Sequence, residues 1–302
     1  MKVYFEVKRW SRLGNWMFQY AAAKSLSKDV ACFVEHEELI PLMRKEVWFR
    51  DLEYVTSVPD DSFFYEEKTF AYQPIVYPQW TANLVIKGWF QTQKFFDEDV
   101  VRRLFAPDEQ LRGGLMSKYA DELRHPEVTS IHVRRGDYLK YPESFPFVGR
   151  GYLRDAVARV INRTGTRDMP FVVLSDDIPW CRTFFTGRSF KGLRFRFSDA
   201  NSPVEDMVLA SLCKNNIISN SSFGWWGAWL NAHPGKKVFA PSPWLGIIFA
   251  KENAAREADM FSAVEFVRVR HLWLRNLKGW LNWRRKTLRI WLGSLRRRVW
   301  EA

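Results

Sequence analysis

The chain has 302 residues, of which 47% are hydrophobic and 26% are charged. This composition excludes a wholly disordered protein and fits one large domain or two smaller ones. The chain has 46 Lys and Arg and 34 Asp and Glu. Residues 268–302 contain 11 of the basic residues and one of the acidic residues, which leaves 35 basic and 33 acidic residues in 1–267. The body is therefore nearly neutral, which argues against a nucleic-acid-binding protein.

The N-terminus begins directly with a strand pattern, KVYFEV, and no run of 18 apolar residues occurs in the chain. We therefore expect neither a secretory signal nor a transmembrane span, and a cytoplasmic body. The three cysteines, Cys32, Cys181 and Cys213, are too widely spaced for a disulfide framework or a metal site. We expect buried thiols in a reducing compartment.

The first 35 residues alternate strand, loop, helix and strand. The helix is predicted over WMFQYAAAKSLSKD (16–29), where apolar residues recur at helical spacing, and the strands KVYFEV and VACFVE flank it. Further helices are predicted near 93–105 and 108–123, and no other element is predicted between 36 and 125.

A second alternating series begins near Pro126. Its predicted strands are VTSIHV, PFVVLSDD, LRFRFS, NNIISN and KKVFAPS, and its predicted helices are GYLRDAVARVINRTG, IPWCRTFF, SPVEDMVLASLCK and SSFGWWGAWLNAH. Strands that alternate with helices in this way predict parallel sheets and an α/β fold. We expect two Rossmann-like domains facing a cleft, over 1–124 and 125–268, and a basic tail over 269–302.

Two adjacent arginines, Arg134 and Arg135 in HVRRGDY, follow a predicted buried strand. A guanidinium binds phosphate oxygens through two parallel hydrogen bonds, and open α/β sheets bind ligands beyond the carboxyl ends of their strands. This position therefore favours a phosphate site. The alternative is that Arg135 braces the loop by pairing with Asp137 or another carboxylate.

The segment SNSSFGWWGAW (219–229) predicts a strand end followed by a capped helix. Asn220, Ser221 and Ser222 are good N-cap residues, and the free N–H groups and dipole of a helix N-terminus attract an anion. The alternatives are ordinary capping for these residues and packing against the sheet for the tryptophans.

The loop SRLGNWMFQYA (11–21) places a glycine between a strand and a helix. Gly14 allows close approach of the backbone to a ligand, and Asn15 is the expected N-cap. The pattern is neither GxGxxG nor a P-loop, so it does not define a nucleotide by itself.

Carboxylates follow the predicted strand PFVVLSDD, at Asp176 and Asp177, and occur again at Glu205 and Asp206. Such carboxylates are suited to Mg²⁺, but arginines and a helix N-terminus already supply positive potential for a diphosphate. We predict no required metal or other cofactor. The alternative role for Asp176 is capping of the next helix.

Together, the segments SRLGNWMFQYA, IKGWFQTQKFF, HVRRGDY, VLSDDIPWC and SNSSFGWWGAWL resemble the alpha-1,2-fucosyltransferases of glycosyltransferase family 11. The resemblance covers about residues 3–268. The sequence departs from the family at Trp16, where Gln is usual, and at Gly224, where Ser is usual; the stretch from Tyr138 to Gly151 also differs.

The resemblance implies a GT-B-like fold and an inverting, metal-independent transfer of L-fucose from GDP-fucose to a galactosyl hydroxyl, O2 in the family, of a glycan acceptor. It implies donor binding by a set of residues from several motifs. These are Gly14, Asn15, His132, Arg134, Arg135, Asp176, Asp206, Ser221, Ser222 and Phe223, with an arginine on the β-phosphate and Asp206 on guanine N–H groups.

An inverting transferase also needs a carboxylate that accepts the proton of the acceptor hydroxyl or orients it. Asp137 is the first candidate and Glu143 the second, with Arg135 as the catalytic arginine. The alternative for Asp137 is that it only braces Arg135. Two other functions stay open: transfer from a different nucleotide sugar, and nucleic-acid binding through basic and aromatic residues.

Residues 271–300 place Trp and Leu on one side of a helix and Arg and Lys on the other. This pattern is typical of a helix that lies on an anionic membrane surface. The alternatives are packing on the body and a nucleic-acid or protein partner. A membrane role predicts a peripheral protein on the cytoplasmic face of a bacterial inner membrane and makes a lipid-linked glycan a candidate acceptor.

Overall fold

The computed structural model describes residues 1–141, 143–145, 148–269 and residue 281. Within these residues the chain forms two β-sheets whose paired strands are parallel, with helices between the strands. The predicted α/β class is therefore confirmed. The predicted amphipathic tail over 271–300 lies outside the described residues, apart from residue 281.

The first sheet is built by the N-terminal part of the chain, with strands in the order β3-β2-β1-β5-β4. Its elements are β1 (Lys2–Val7), α1 (Leu13–Leu26), β2 (Val30–Val34), α2 (Ile40–Arg44), β3 (Glu53–Val55), β4 (Phe63–Glu66), β5 (Asn83–Lys87), α3 (Glu98–Leu104), α4 (Glu109–Lys118) and α5 (Ala120–Leu123). β1 and β2 form the buried centre because their nearly continuous apolar residues suit a strand covered on both faces.

The second sheet has six strands in the order β11-β10-β9-β6-β7-β8. Its elements are β6 (Thr129–Val133), α6 (Arg150–Thr164), β7 (Pro170–Ser175), α7 (Ile178–Phe185), β8 (Arg194–Phe197), α8 (Pro203–Leu212), β9 (Asn215–Ile217), α9 (Ser222–Leu230), β10 (Val238–Ser242), α10 (Asn253–Ala258) and β11 (Val264–Arg268). Short 3-10 segments cover Glu37–Leu39, Val47–Phe49, Gln93–Phe95, Asp137–Leu139, Arg188–Phe190 and Ile247–Glu252.

An aromatic contact between α1 and α9 joins the two sheets. The ring of Phe18 lies with its centroid 4.6 Å from the rings of both Trp225 and Trp226. Both indoles are fully buried, and the Nε1–H of Trp226 donates to the carbonyl of Gly14 at 2.9 Å. Tryptophans of the SNSSFGWWGAW segment are therefore core residues, and buried polar N–H groups of this kind need a partner such as this carbonyl.

The element boundaries differ from the predictions in places that have local causes. α1 begins at Leu13, three residues before the predicted start, because Arg12 rather than Asn15 is its N-cap. The helix predicted near 108–123 is divided into α4 and α5 at Tyr119, whose φ and ψ are not helical. β3, β4, β5 and β11 were not predicted, since three of these strands have partly exposed or polar residues.

The strands of the first sheet lie within 2–87 and those of the second within 129–268. The exact division at 124/125 stays a prediction, because one hydrophobic cluster contains buried residues from both halves. Cys32, Cys181 and Cys213 are buried free thiols, as expected. In the part of the chain that is described, no helix has the length and apolar character needed to cross a membrane.

Candidate functional site

A cleft of about 840 Å³ lies where loops from both sheets meet. The loops after β1, β6, β7 and β9 all contribute to it, so the cleft lies beyond the carboxyl ends of the strands, where open parallel sheets bind ligands. The lining includes Arg12, Gly14, Asn15, His132, Arg134, Asp137, Asp176, Asp206, Asn220, Ser221, Ser222 and Phe223. Ten of the predicted site residues, all except Arg135 and Glu143, are thereby brought together.

Arg134 is the arginine of HVRRGDY that lines the cleft. Its backbone N–H donates to Ser219 Oγ at 2.9 Å, which fixes the start of the loop. Its guanidinium contacts Asp137 Oδ1 at 2.8 Å and Asp176 Oδ2 at 3.1 Å. The Arg134 side chain is 27% exposed, so the guanidinium is oriented by two carboxylates and is still accessible from the cleft.

Arg135 takes a different direction and is not among the residues that line the cleft. Its Nε donates to Asp177 Oδ2 at 2.8 Å, and its guanidinium lies 3.9 Å from the ring centroid of Trp180. Asp177, the N-cap of α7, is thus a carboxylate partner of Arg135, which agrees with the alternative that Arg135 pairs with Asp137 or another carboxylate. Of the two arginines, Arg134 is the one on the cleft lining, and which of them binds a phosphate stays a prediction.

The two candidate bases also differ in position. Asp137 lines the cleft and pairs with Arg134. The alternative role for Asp137 named Arg135 as the arginine that it braces, whereas the arginine that it contacts is Arg134. Glu143 is 6% exposed and is not part of the cleft lining. This position does not favour Glu143 as a residue that contacts the acceptor.

Asp176 and Asp177 have separate structural tasks. Asp176 Oδ1 accepts from the backbone N–H of Arg135 at 2.8 Å, while Asp177 is the N-cap of α7 and accepts from the N–H of Trp180 at 3.2 Å. The capping role proposed for Asp176 therefore belongs to Asp177. The hydrogen bond from Arg135 lowers the pKa of Asp177.

Among the described residues, no cluster of three or more His, Cys, Asp or Glu side chains is arranged to hold a metal.

The N-terminus of α9 opens onto the cleft. Ser221 is its N-cap, with Oγ accepting from the backbone N–H of Phe223 at 3.3 Å, as the sequence predicted. Asn220, Ser221, Ser222 and Phe223 all line the cleft. The first-turn N–H groups and the helix dipole therefore give this wall a positive potential, which suits an anionic ligand.

Gly14 lines the cleft and also packs against the first turn of α9. A Cβ at Gly14 would lie 2.7 Å from the backbone N of Phe223 and 2.7 Å from Ser222 Oγ, so only glycine lets α1 approach the first turn of α9. Asn15 is not an N-cap. Its Oδ1 accepts hydrogen bonds from Gln91 Nε2 at 2.8 Å and from Ser222 Oγ at 2.9 Å.

His132 is a mostly buried residue of the cleft lining, with its ring centroid 5.1 Å from that of Phe223. Burial, assisted by the charge of Arg134, lowers the pKa of His132 to about 3, so the imidazole is neutral at pH 7. Its Nδ1 and the Oδ1 of Asn220 are buried without a hydrogen-bond partner among the described residues. Both residues line the cleft, but the His132 Nδ1 faces α9, because a Cβ at Gly224 would lie 2.7 Å from it.

Asp206, in the first turn of α8, also lines the cleft. It accepts hydrogen bonds from the hydroxyl of Ser198 and from Asn201 Nδ2, the latter at 3.0 Å. Burial outweighs these bonds and raises the pKa of Asp206 to about 6. The carboxylate is thus poised to change charge near neutral pH and to respond to a ligand that donates hydrogen bonds.

Several cleft residues were not predicted. Gln91 and Trp89 lie in the IKGWFQTQKFF segment, which was identified by its resemblance and given no role. Trp10, Tyr138 and Phe249 form further aromatic parts of the lining, and Tyr138 OH donates to the carbonyl of Asn220 at 3.0 Å. The 15 Trp and 24 Phe of the chain, a high number, were the available signal, but a composition does not indicate which of them line a site.

A parallel α/β fold with a polar cleft at its strand ends, an arginine and an open helix N-terminus is the architecture of an enzyme that binds a phosphorylated ligand. The profile described as Glycosyl transferase family 11 matches residues 70–259. The chain belongs to this family.

Curated relatives agree with this assignment. The chain is 33% identical over 164 residues to the Alpha-1,2-colitosyltransferase of Escherichia coli, covering 52% of this chain and 55% of that protein. It is 36% identical over 132 residues to the O-antigen biosynthesis glycosyltransferase WbnK of Escherichia coli, covering 43% and 41%. It is 25% identical over 271 residues to Galactoside alpha-(1,2)-fucosyltransferase 2 of Oryctolagus cuniculus, covering 80% and 72%. The matches span about half the length of the two bacterial relatives.

Proposed function

We propose that the protein is an inverting glycosyltransferase of GT-B-like architecture that moves L-fucose from GDP-fucose to a hydroxyl, O2 in our proposal, of a galactosyl residue on a glycan. The observation that carries this proposal is the meeting of Arg134 and the N-terminus of α9 on the cleft lining, in a member of glycosyltransferase family 11. The name of the rabbit relative supports the galactosyl acceptor.

The transfer develops negative charge on the departing GDP. Two carboxylates orient Arg134 before the donor binds, and its guanidinium then donates to a β-phosphate oxygen. The first turn of α9 lines the same cleft. Donors that are already in place when charge develops lower the barrier, and loss of one typically costs about 10²- to 10³-fold in rate. The proposal requires no metal or other cofactor, because these groups supply the positive potential.

Guanine recognition falls to Asp206. A guanine base offers two neighbouring N–H groups, which a carboxylate accepts, whereas uracil and adenine do not present the same pair. The presence of Asp206 on the lining of the same cleft as Arg134 supports a base bound there as part of a nucleotide diphosphate. The role of Asp206 therefore predicts preference for GDP over UDP and ADP.

Asp137 is the residue that we assign to the acceptor hydroxyl, as base or as orienting carboxylate. Its position on the cleft lining, 2.8 Å from the guanidinium of Arg134, supports this assignment. A diphosphate that binds Arg134 competes with Asp137 for the guanidinium and so releases the carboxylate for the acceptor. This exchange couples donor binding to activation of the hydroxyl.

A thermal-shift panel tests the proposal. Stabilisation by GDP and GDP-fucose, with none by UDP, ADP or an oligonucleotide, is the expected result, because a ligand that binds only the folded chain raises Tm. Stabilisation by an oligonucleotide alone would establish the nucleic-acid alternative. A mass-spectrometric assay with GDP-fucose and a panel of galactosides, followed by linkage analysis, identifies the acceptor.

One relative favours a second donor. The 33% identity to an Alpha-1,2-colitosyltransferase makes nucleotide-linked colitose a candidate for the same cleft. Competition between the two nucleotide sugars in the galactoside assay decides between them, and the higher kcat/KM identifies the donor.

We further propose that residues 271–300 bind the anionic cytoplasmic face of a bacterial inner membrane. The support is the Trp and Leu face opposite Arg and Lys in the sequence. A glycan on a lipid carrier is then the proposed acceptor, in line with the O-antigen biosynthesis named for one relative. Deletion of 271–302 should abolish cosedimentation with anionic vesicles, and retained binding would contradict the membrane role.

A further inference from the structure

Arg256 in α10 lies behind the cleft, and only 1% of its surface is exposed. Burial lowers the pKa of Arg256 to about 10, against the opposing charges of Glu67 and Asp259, so the guanidinium stays charged at neutral pH. Its Nη2 donates to Gln91 Oε1 at 3.1 Å. A guanidinium has donors and no acceptor, so the direction of this hydrogen bond cannot reverse.

The hydrogen bond from Arg256 fixes the orientation of the Gln91 amide, which in turn fixes the orientation of the Asn15 amide. Because Arg256 occupies the oxygen of the Gln91 amide, the Nε2 of Gln91 faces Asn15 and donates to its Oδ1 at 2.8 Å. Ser222 Oγ donates to the same oxygen at 2.9 Å. The Asn15 oxygen is thus held by two donors, and its amide nitrogen is turned away from both.

Asn15 lines the cleft next to the first turn of α9. An amide whose oxygen is held on the inside presents its two N–H donors to the cleft, where a phosphate oxygen accepts them. The opposite orientation of the amide would place an oxygen against the phosphate and repel it. The orientation of Asn15 therefore decides whether this part of the wall attracts or repels an anion.

We propose that Arg256 is a positioning residue that sets the direction of the Arg256–Gln91–Asn15 relay, so that Asn15 donates to a phosphate oxygen of the bound nucleotide. This inference rests on the proposed function. A purely stabilising role does not explain why an arginine occupies position 256, because its Nε is buried without a hydrogen-bond partner among the described residues. An unmatched buried donor costs stability.

The variant Gln91→Glu separates positioning from stability. The introduced carboxylate still accepts from Arg256, and more strongly because it is charged, but it cannot donate to Asn15. The Asn15 amide then turns so that its nitrogen donates to this carboxylate and its oxygen faces the cleft. We expect the Kd for GDP to rise at least tenfold, while Tm in the absence of ligand stays the same or rises.

Gln93→Glu is the matched control for the added charge. It lies two residues along the same segment, and its oxygen accepts from Trp229 Nε1 at 3.2 Å, so glutamate keeps that bond. We expect Gln93→Glu to change the Kd for GDP by less than about threefold. The effect of Gln91→Glu should also persist at high salt, since screening weakens a simple charge effect.

Isothermal titration with GDP gives a decisive result for each case. Tight binding by the wild-type chain together with equal binding by Gln91→Glu would overturn the relay and leave the proposed function standing. A wild-type chain that does not bind GDP would overturn both. Arg256→Met should also weaken GDP binding, and Arg256→Lys, which retains a donor without an acceptor, should recover part of the loss.

Discussion

The guanidinium of Arg134 contacts Asp137 Oδ1 at 2.8 Å, so the arginine that faces the cleft and the candidate catalytic carboxylate form one ion-paired unit. A phosphate that binds Arg134 would weaken its ion pair with Asp137. Under the proposed function, binding of the nucleotide sugar therefore precedes activation of the acceptor hydroxyl by Asp137.

Arg134→Lys should lower turnover about 10²-fold or more, because lysine keeps the charge and loses the planar pair of donors. Arg135→Lys should instead lower Tm, since Arg135 holds Asp177 and packs on Trp180. Steady-state kinetics and thermal unfolding of both variants provide the comparison. A larger loss of turnover in Arg135→Lys than in Arg134→Lys would restore Arg135 as the phosphate ligand.

Asp137→Asn tests the role of the carboxylate toward the acceptor. If Asp137 is the base, the variant should lose the acidic limb of the pH profile of kcat/KM together with most of its rate, because an amide does not take up a proton. Donor-only hydrolysis of GDP-fucose reports separately on the Arg134 site. A profile that is scaled down with its acidic limb intact would show that Asp137 only orients Arg134.

Asp206 should make stability depend on pH. Its pKa is raised from 3.8 to about 6 in the folded chain, so the folded state binds the proton more tightly than the unfolded state. This contribution to stability is fully present below about pH 4 and is lost as pH rises through about 6, and it amounts to at most about 3 kcal/mol. The free energy of unfolding of wild type minus that of Asp206→Asn should therefore fall between about pH 4 and pH 6 in urea titrations. A rising difference would mean that the fold holds the carboxylate ionised.

Gly14→Ala should destabilise the fold by about 1–3 kcal/mol, because the added Cβ would lie 2.7 Å from backbone and hydroxyl atoms of α9. Gly113→Ala is the matched control. It lies inside α4 with no atom within 4 Å of its Cβ position, and there alanine should stabilise the helix by about 0.5–1 kcal/mol. Equal effects of the two substitutions would contradict the close approach of α1 and α9.

Trp10→Ala should raise the KM for the acceptor about tenfold and leave the KM for GDP-fucose unchanged. Trp10 lines the cleft with 69% of its surface exposed, and an indole face packs against the C–H groups of a sugar. Trp80→Ala removes a similarly exposed indole, at 77%, that is not in the cleft lining. The idea fails if both substitutions give the same acceptor KM.

The sequence was most informative where apolar periodicity and motifs coincide. The strands before Arg134 and Asp176 and the capped helix after Ser221 were predicted because strand, loop and cap residues follow each other directly. β3 and β4 were missed, since strands of three and four residues with exposed side chains have little periodicity to detect.

The different positions of Arg134 and Arg135 in HVRRGDY could not be predicted from the sequence. Both arginines follow the same strand, and Arg135 turns toward Asp177 and Trp180, which lie more than 40 residues later in the chain. The relay from Arg256 to Asn15 joins residues far apart in the chain, and no local pattern indicates such a contact.

The packing of Phe18 against Trp225 and Trp226 also bears on how substrates enter. Parting the two sheets at α1 and α9 would expose two indoles to water and break the bond from Trp226 to Gly14, a cost of several kcal/mol. The contact between α1 and α9 is consequently rigid, and we expect a bound nucleotide to leave by movement of the cleft-lining loops that carry Trp10 and Tyr138 and not by a hinge that opens the molecule.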